Sequence, residues 1–304
     1  MISQWKTGLI PLAAVLMCSF WLPYASAGNA LAEKYLVSFK ATKSTCLLRV
    51  NDLPGMDNST SRSATLSGGY NTTAFVENGS NKIELLMGPE THDDPKTLFA
   101  DSSCEAVISK EDKDAGEEVA RYRLSVDDQG KITARESAGG PLTEGYTQNK
   151  NDFNLYKLEG HFSLQGLPEW NWVKATPVSD EDKAKITQAY EALWTMMQNR
   201  DIDGLKALTQ AAHKEMAYAE GVSPGMMFLS SGLPDHVTDR QLTPVPIDWN
   251  KYRLMSYREG RIFRMGVGFF QNSPLRLQNA EGKIVYAWKP YFAIINGKVV
   301  LVRG

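Results

Sequence analysis

Residues 167–197, LPEWNWVKATPVSDEDKAKITQAYEALWTMM, hold the change of period that divides the chain. Up to Trp172 the apolar residues recur mostly at every second position. After Thr176-Pro177-Val178 they fall at Ile186, Ala189, Tyr190, Leu193, Trp194 and Met197, spacings of three and four. The later pattern makes one face of an α-helix, the earlier one the alternating faces of strands. Ser179 followed by Asp182 opens the helix like a capping box, with Asp where Glu is preferred. The boundary therefore separates a sheet-only domain, residues 28–172, from a mixed domain, residues 173–304.

Working toward the N-terminus, Tyr35–Phe39, Cys46–Val50, Thr73–Val76, Lys82–Met87, Cys104–Ile108, Tyr122–Val126 and Lys131–Ala134 read as short strands. Turn residues such as Asn51-Asp52-Leu53-Pro54-Gly55 and Asn78-Gly79 separate them. That spacing predicts an all-β antiparallel sandwich. Leu48-Arg49-Val50-Asn51-Asp52-Leu53-Pro54, together with Thr73 to Leu85, resembles accessory jelly-roll domains of carbohydrate-active proteins, although Asp52 stands where that pattern has Gly. The resemblance implies a jelly-roll-like fold, not sugar binding. The mixed charges from Lys110 to Glu118 read as a solvated hairpin tip. Thr91-His92-Asp93-Asp94 is either a solvated loop or a cation site.

Working toward the C-terminus, Arg200-Asp201-Ile202-Asp203 ends the first helix. Asp201 or Asp203 caps a second, with Leu205 and Leu208 inward, and Ala211–Ala219 extends it or forms a third, ending at Gly221. After Pro246 the period returns to two. Asn296-Gly297 between Tyr291–Ile295 and Lys298–Val302 is the strongest local hairpin signal in the chain. Helices followed by an antiparallel meander predict an α+β domain with helices packed on a curved antiparallel sheet. The Tyr190–Trp194 helix, the Arg200–Leu205 helix start and the Asn296-Gly297-Lys298-Val299 hairpin resemble the nuclear-transport-factor-2-like superfamily, which includes polyketide-cyclase-like enzymes. That resemblance implies a cone with an internal pocket.

Lys6, an apolar run from Leu9 to Leu22 and Ala25-Ser26-Ala27 have the order of a cleaved secretory leader, residues 1–27. The run is shorter than the ~20 residues that span a bilayer, so no stable membrane insertion is expected after cleavage. Cys18 offers a lipidation alternative, but Met17 precedes it. The mature chain is expected to be periplasmic or extracellular. Among 304 residues, 33 basic and 35 acidic side chains give a net charge of −2 and a pI near 6.1. This excludes a strongly basic nucleic-acid reader. Cys46 and Cys104 remain after cleavage and are expected to pair in an oxidising compartment, the alternative being two buried thiols. Asn58, Asn71 and Asn78 open glycosylation-type triplets. The leader favours a bacterial source, so no glycans are expected.

The chain contains no phosphate loop, dinucleotide fingerprint, zinc-helix motif or nucleophile elbow. No metal or cofactor is expected. A catalytic cone would need a polar pair, commonly Asp with His, to move a carbon-bound proton. His213, Glu215, Asp235, His236 and Asp239 are the candidates, and none stands at a position matching the superfamily's pair. Pro234-Asp235-His236 reads as a loop. Arg258, Arg261 and Arg264 cluster at one hairpin, as a solvated face or an anion contact, and spacing three turns Arg261 and Arg264 to opposite faces. Trp170, Trp172, Trp249, Tyr252, Tyr257, Trp288 and Tyr291 exceed what one hairpin core needs, so an exposed subset points to ligand or partner contact. Contacts are expected at His213, Glu215, His236, Trp249, Tyr257, Arg261 and Arg264. The leading expectation is a non-enzymatic binding protein with a protein partner, a toxin-neutralising immunity protein being one example. Alternatives are a pocket enzyme or small-ligand carrier using the C-terminal cone, and glycan binding by the sandwich.

Overall fold

The computed structural model describes residues 31–304, apart from 32, 62–63, 92, 112–115, 136 and 139. The expected leader, His92 and residues 112–115 of the charge run lie outside the described residues. The chain is mostly antiparallel strand with a smaller helical share, an α+β fold.

The first half contributes β1 (Lys34–Thr42), β2 (Thr45–Val50), β3 (Leu53–Asp57), β4 (Leu66–Asn71), β5 (Gly79–Gly88), β6 (Ser103–Glu111), β7 (Gly116–Val126), β8 (Ile132–Ala134), β9 (Thr143–Tyr146) and β10 (Tyr156–Leu164). They form two five-stranded sheets, ordered β4-β1-β6-β7-β8 and β3-β2-β5-β10-β9. Period-two alternation places Tyr35, Val37, Phe39 and Ala41 of β1 in the same apolar cluster as Leu48, Ile83 and Leu85 of the second sheet. Cys46 on β2 and Cys104 on β6 are disulfide-bonded, with Cα atoms 5.9 Å apart, so the bridge ties one sheet to the other. The amides of Asn58, Asn71 and Asn78 all bond internally, to Ser44, Ala219 and Leu167 carbonyls at 2.7, 3.1 and 2.7 Å.

Residues 73–76, read as a strand, instead form a 3-10 turn at Thr73–Phe75. The reason lies in the acceptor: the Ala74 carbonyl meets the side chains of Trp172 and Arg303 rather than a neighbouring strand.

The second half contributes α1 (Lys183–Gln198), α2 (Ile202–Glu220), α3 (Pro224–Ser230) and α4 (Leu233–Thr238). Then follow β11 (Thr243–Pro244), β12 (Arg253–Tyr257), β13 (Ile262–Gly266), β14 (Arg276–Gln278), β15 (Ile284–Ala287), β16 (Tyr291–Ile295) and β17 (Lys298–Arg303). The sheets run β11-β14-β15 and β12-β13-β16-β17. Helix α1 buries Ile186, Tyr190, Leu193 and Met197, the stripe its spacing predicts. Asp201 caps α2 by accepting the Gly204 N–H at 2.9 Å, and α2 continues unbroken until Gly221, at φ 71°, ends it. The 234–236 segment, read as a loop, lies on α4, and α3 was not anticipated. Pro224 and Pro234 each sit in a first helical turn, where the missing N–H costs nothing. No described helix is long and apolar enough to cross a membrane.

The Tyr190 hydroxyl accepts the Met265 N–H at 2.9 Å, fixing α1 to β13 inside the second apolar cluster. Tyr190→Phe orphans that buried N–H and is expected to cost about 1–3 kcal/mol. Urea denaturation measures the loss, and a change under about 0.5 kcal/mol would place the hydrogen bond outside the stabilising set.

Candidate functional site

The two halves meet along a polar seam centred on residues 72–81. Glu77, just before β5, pairs with Arg258 and with Arg261, the latter at 2.6 and 2.9 Å. Arg258 also reaches Asn51 Oδ1 at 2.9 Å and the Ser80 carbonyl at 2.7 Å. Arg261 donates to the Val173 carbonyl at 2.7 Å and lies over the Trp172 ring. Arg303 is fully buried. It donates twice to the Ala74 carbonyl, at 2.9 and 2.7 Å, and pairs with Glu215 at 2.6 Å. Trp170 donates to the Val76 carbonyl at 2.9 Å. Arg258 and Glu259 hold left-handed backbone, with φ 50° and 52°, before Gly260 at 83° completes the turn. The seam therefore joins a hairpin tip plugged into the first half to the Arg303 anchor of β17.

Beside the seam a cleft opens between the β3-β2-β5-β10-β9 sheet and the β12–β13 hairpin with the loop after it. Two adjoining cavities, of about 290 and 640 Å³, share Arg49, Phe269 and Gln271 in their walls. Phe269 packs on the outer face of this sheet, against Leu47, Leu86 and Leu155. Its ring also meets Phe153 at 4.9 Å and Phe270 at 5.0 Å. Phe153 and Phe270 remain 39% and 46% exposed, and Tyr146, on the larger cavity, 66%. An aromatic ridge thus rims the cleft.

The cleft's polar floor is built around Arg264, which is 4% exposed. Its Nε donates to the Tyr257 hydroxyl at 3.2 Å, its Nη2 to Gln271 Oε1 at 2.7 Å, and its guanidinium lies 4.7 Å from the Tyr291 ring centroid. Tyr257 donates its own hydroxyl to the same Gln271 oxygen. Gln271 sits at φ 47°, a left-handed position that bulky residues seldom adopt. Burial pushes the phenols of Tyr257 and Tyr291 up from their ordinary value, so both are neutral at neutral pH. Partial desolvation at the cavity wall, then repulsion from Arg264, holds the Lys289 ammonium below the usual lysine range. Arg49 is saturated: Asp152 grips it at 2.5 and 3.1 Å, with Glu84 at 3.7 Å.

Of the residues expected to make contacts, Tyr257 and Arg264 converge at the cleft and the others disperse. Arg261 and Glu215 serve the seam, and with Arg258 and Arg264 tied into bonds, the solvated-face reading of the arginines fails. His213 lies buried on α2 against Phe228, its Nε2 without a partner among the described residues, and burial lowers its pKa. His236 stacks on Tyr286 at 4.4 Å, with Nδ1 2.8 Å from the Gly232 carbonyl. Trp249 is half-buried between Tyr190 and Tyr252, away from the cleft lining, and donates to Glu191 at 3.3 Å. Arg49, Gln271, Lys289 and the Phe269-Phe270 pair were not singled out from the sequence. The readable signal was two adjacent phenylalanines just after Gly266 and Gly268. Among the described residues no group of three or more His, Cys, Asp or Glu could hold a metal ion.

Compared with protein-family models, curated proteins and solved structures, the chain gives no match.

Proposed function

We propose that this chain is an exported, periplasmic two-domain binding protein. In this reading a jelly-roll-like sandwich, residues 28–172, and an α+β domain, residues 173–304, engage a protein partner through the cleft between them. The ridge of Phe153, Phe269 and Phe270, two of its three rings more than a third exposed, carries this reading. Exposed aromatics around a partly desolvated pocket are the side chains that anchor interfaces, whereas a monomer gains nothing by leaving them in water. The Cys46–Cys104 bridge supports an oxidising compartment.

A photo-reactive residue placed at Phe270 or Phe153, and at exposed Ser38 on β1 as control, tests the reading in the native envelope. Crosslinks to one protein from 270 and 153, and none from 38, are the expected result. Equal labelling from all three positions, or none, overturns it.

A second reading, a small-ligand carrier, has its own observation. A cavity of about 300 Å³ between α2 and α3 is lined by His213, Phe228, Gln210 and Lys206. His213 Nε2 has no partner among the described residues, so a hydrogen-bonding ligand would satisfy it.

A further inference from the structure

We infer that the cleft floor is a carboxylate subsite, in which Arg264 and Lys289 receive the carboxylate of a ligand whose apolar body lies on Met56, Phe269 and Phe270. This rests on the reading of the cleft as the binding site and names the chemistry that site accepts.

The argument begins with charge. A guanidinium taken out of water costs several kcal/mol unless an anion compensates it. The other buried guanidiniums, Arg258 and Arg303, have that anion in Glu77 and Glu215. Arg264 has none: among the described residues no carboxylate lies within ion-pair distance of it. Its partners are a neutral phenol, an amide oxygen and an aromatic face. Among the described residues Lys289, on the wall of the same cavity, bonds only the Phe270 carbonyl, at 3.4 Å. Asp57 also lines the cavity, where its Oδ1 accepts the Ser59 N–H at 3.0 Å, and it pairs with neither cation. Two cations therefore face one cavity without an ion-pair partner among the described residues.

Charge selects the anion. Tyr257 and Gln271 occupy Nε and one N–H of Nη2 of Arg264, which leaves both N–H groups of Nη1 and one of Nη2. Arg264 and Lys289 together offer donors to both oxygens of a carboxylate. A phosphate would bring a second negative charge into a cavity that Asp57 already shares. The apolar part of the wall is formed by Leu47, Pro54, Met56, Phe269 and Phe270, and about 290 Å³ accommodates a phenyl-sized body. The same chemistry occurs in a free aromatic acid and in a chain ending in Phe with its own carboxylate.

Calorimetry on the disulfide-intact mature chain tests this with 3-phenylpropionate, its amide, inorganic phosphate, and a peptide ending in Phe as free acid or amide. At least one acid is expected to bind about tenfold or more tighter than its amide, the size of one charge-assisted hydrogen bond. Lys289→Met and Arg264→Gln are each expected to remove most of that preference. Lys289 is exposed, so its replacement leaves the fold intact and carries the test if Arg264→Gln does not fold. Binding by the small acid alone assigns the subsite to a free ligand, and binding by the peptide acid assigns it to a chain terminus. Equal binding of acid and amide, tighter binding of phosphate, or an unchanged preference in Lys289→Met overturns the inference. If the acid preference is absent while crosslinking from Phe270 persists, the subsite falls and the cleft reading stands. The reverse pattern removes the protein partner and keeps the subsite.

Discussion

Glu77→Gln is expected to destabilise the protein by about 3–5 kcal/mol, the cost of leaving a buried charge without its partner. Glu77 is 9% exposed and faces two guanidiniums, of which Arg258 is itself 7% exposed. Glutamine keeps the shape and one acceptor but removes the charge both arginines share. Double replacement with Arg258→Met should cost less than the sum of the single changes, because the second removes the orphaned cation. Acid provides an independent check. Burial alone would raise the Glu77 carboxyl, but Arg261 and Arg258 outweigh it and hold the carboxyl below its ordinary value. A carboxyl lowered in the folded state stabilises above the ordinary carboxylate range and loses that contribution as pH falls through the folded value. Denaturation midpoints from pH 7 downward should therefore converge for the wild type and Glu77→Gln. A gap constant with pH would assign the effect to packing.

Replacing both Cys46 and Cys104 by alanine is expected to lower stability by about 2–5 kcal/mol. The residues lie 58 positions apart, so the bridge closes a long loop in the unfolded chain. Both are fully buried between the sheets, so their removal also takes sulfur contacts from the first core. Equilibrium denaturation of the oxidised protein and the double variant gives the difference. A loss below about 1 kcal/mol would mean that the two sheets hold their separation without the link.

Much of the architecture could be read from local pattern because its determinants are local. Asn296-Gly297 lies between two apolar runs and forms the β16–β17 turn, with φ 51° and 73°. Asp201 caps α2, and α1 buries the stripe its spacing sets. Strand β4, Leu-Ser-Gly-Gly-Tyr-Asn, carried no signal: an edge strand half open to water needs no alternation. Helices α3 and α4 are too short for a period to show. The site was less legible, for a different reason. Arg258 and Glu77 are 181 positions apart, and only the assembled fold tells a buried ion pair from two solvated charges. Arg264 was singled out as a possible anion contact, but its lack of a counter-ion is a property of its surroundings. Gln271 and Lys289 belong to no motif, and they matter only through the arginine they face.

The hairpin joining β12 to β13 also works as a lever. Its tip, Arg258 and Arg261, is pinned to Glu77, while Arg264, three residues along the same rigid strand, forms part of the cleft floor. A rotation that unplugs the tip must swing Arg264, so a molecule gripping Arg264 resists that rotation. In the proposed reading, filling the groove would therefore stiffen one of the ties between the two halves of the chain.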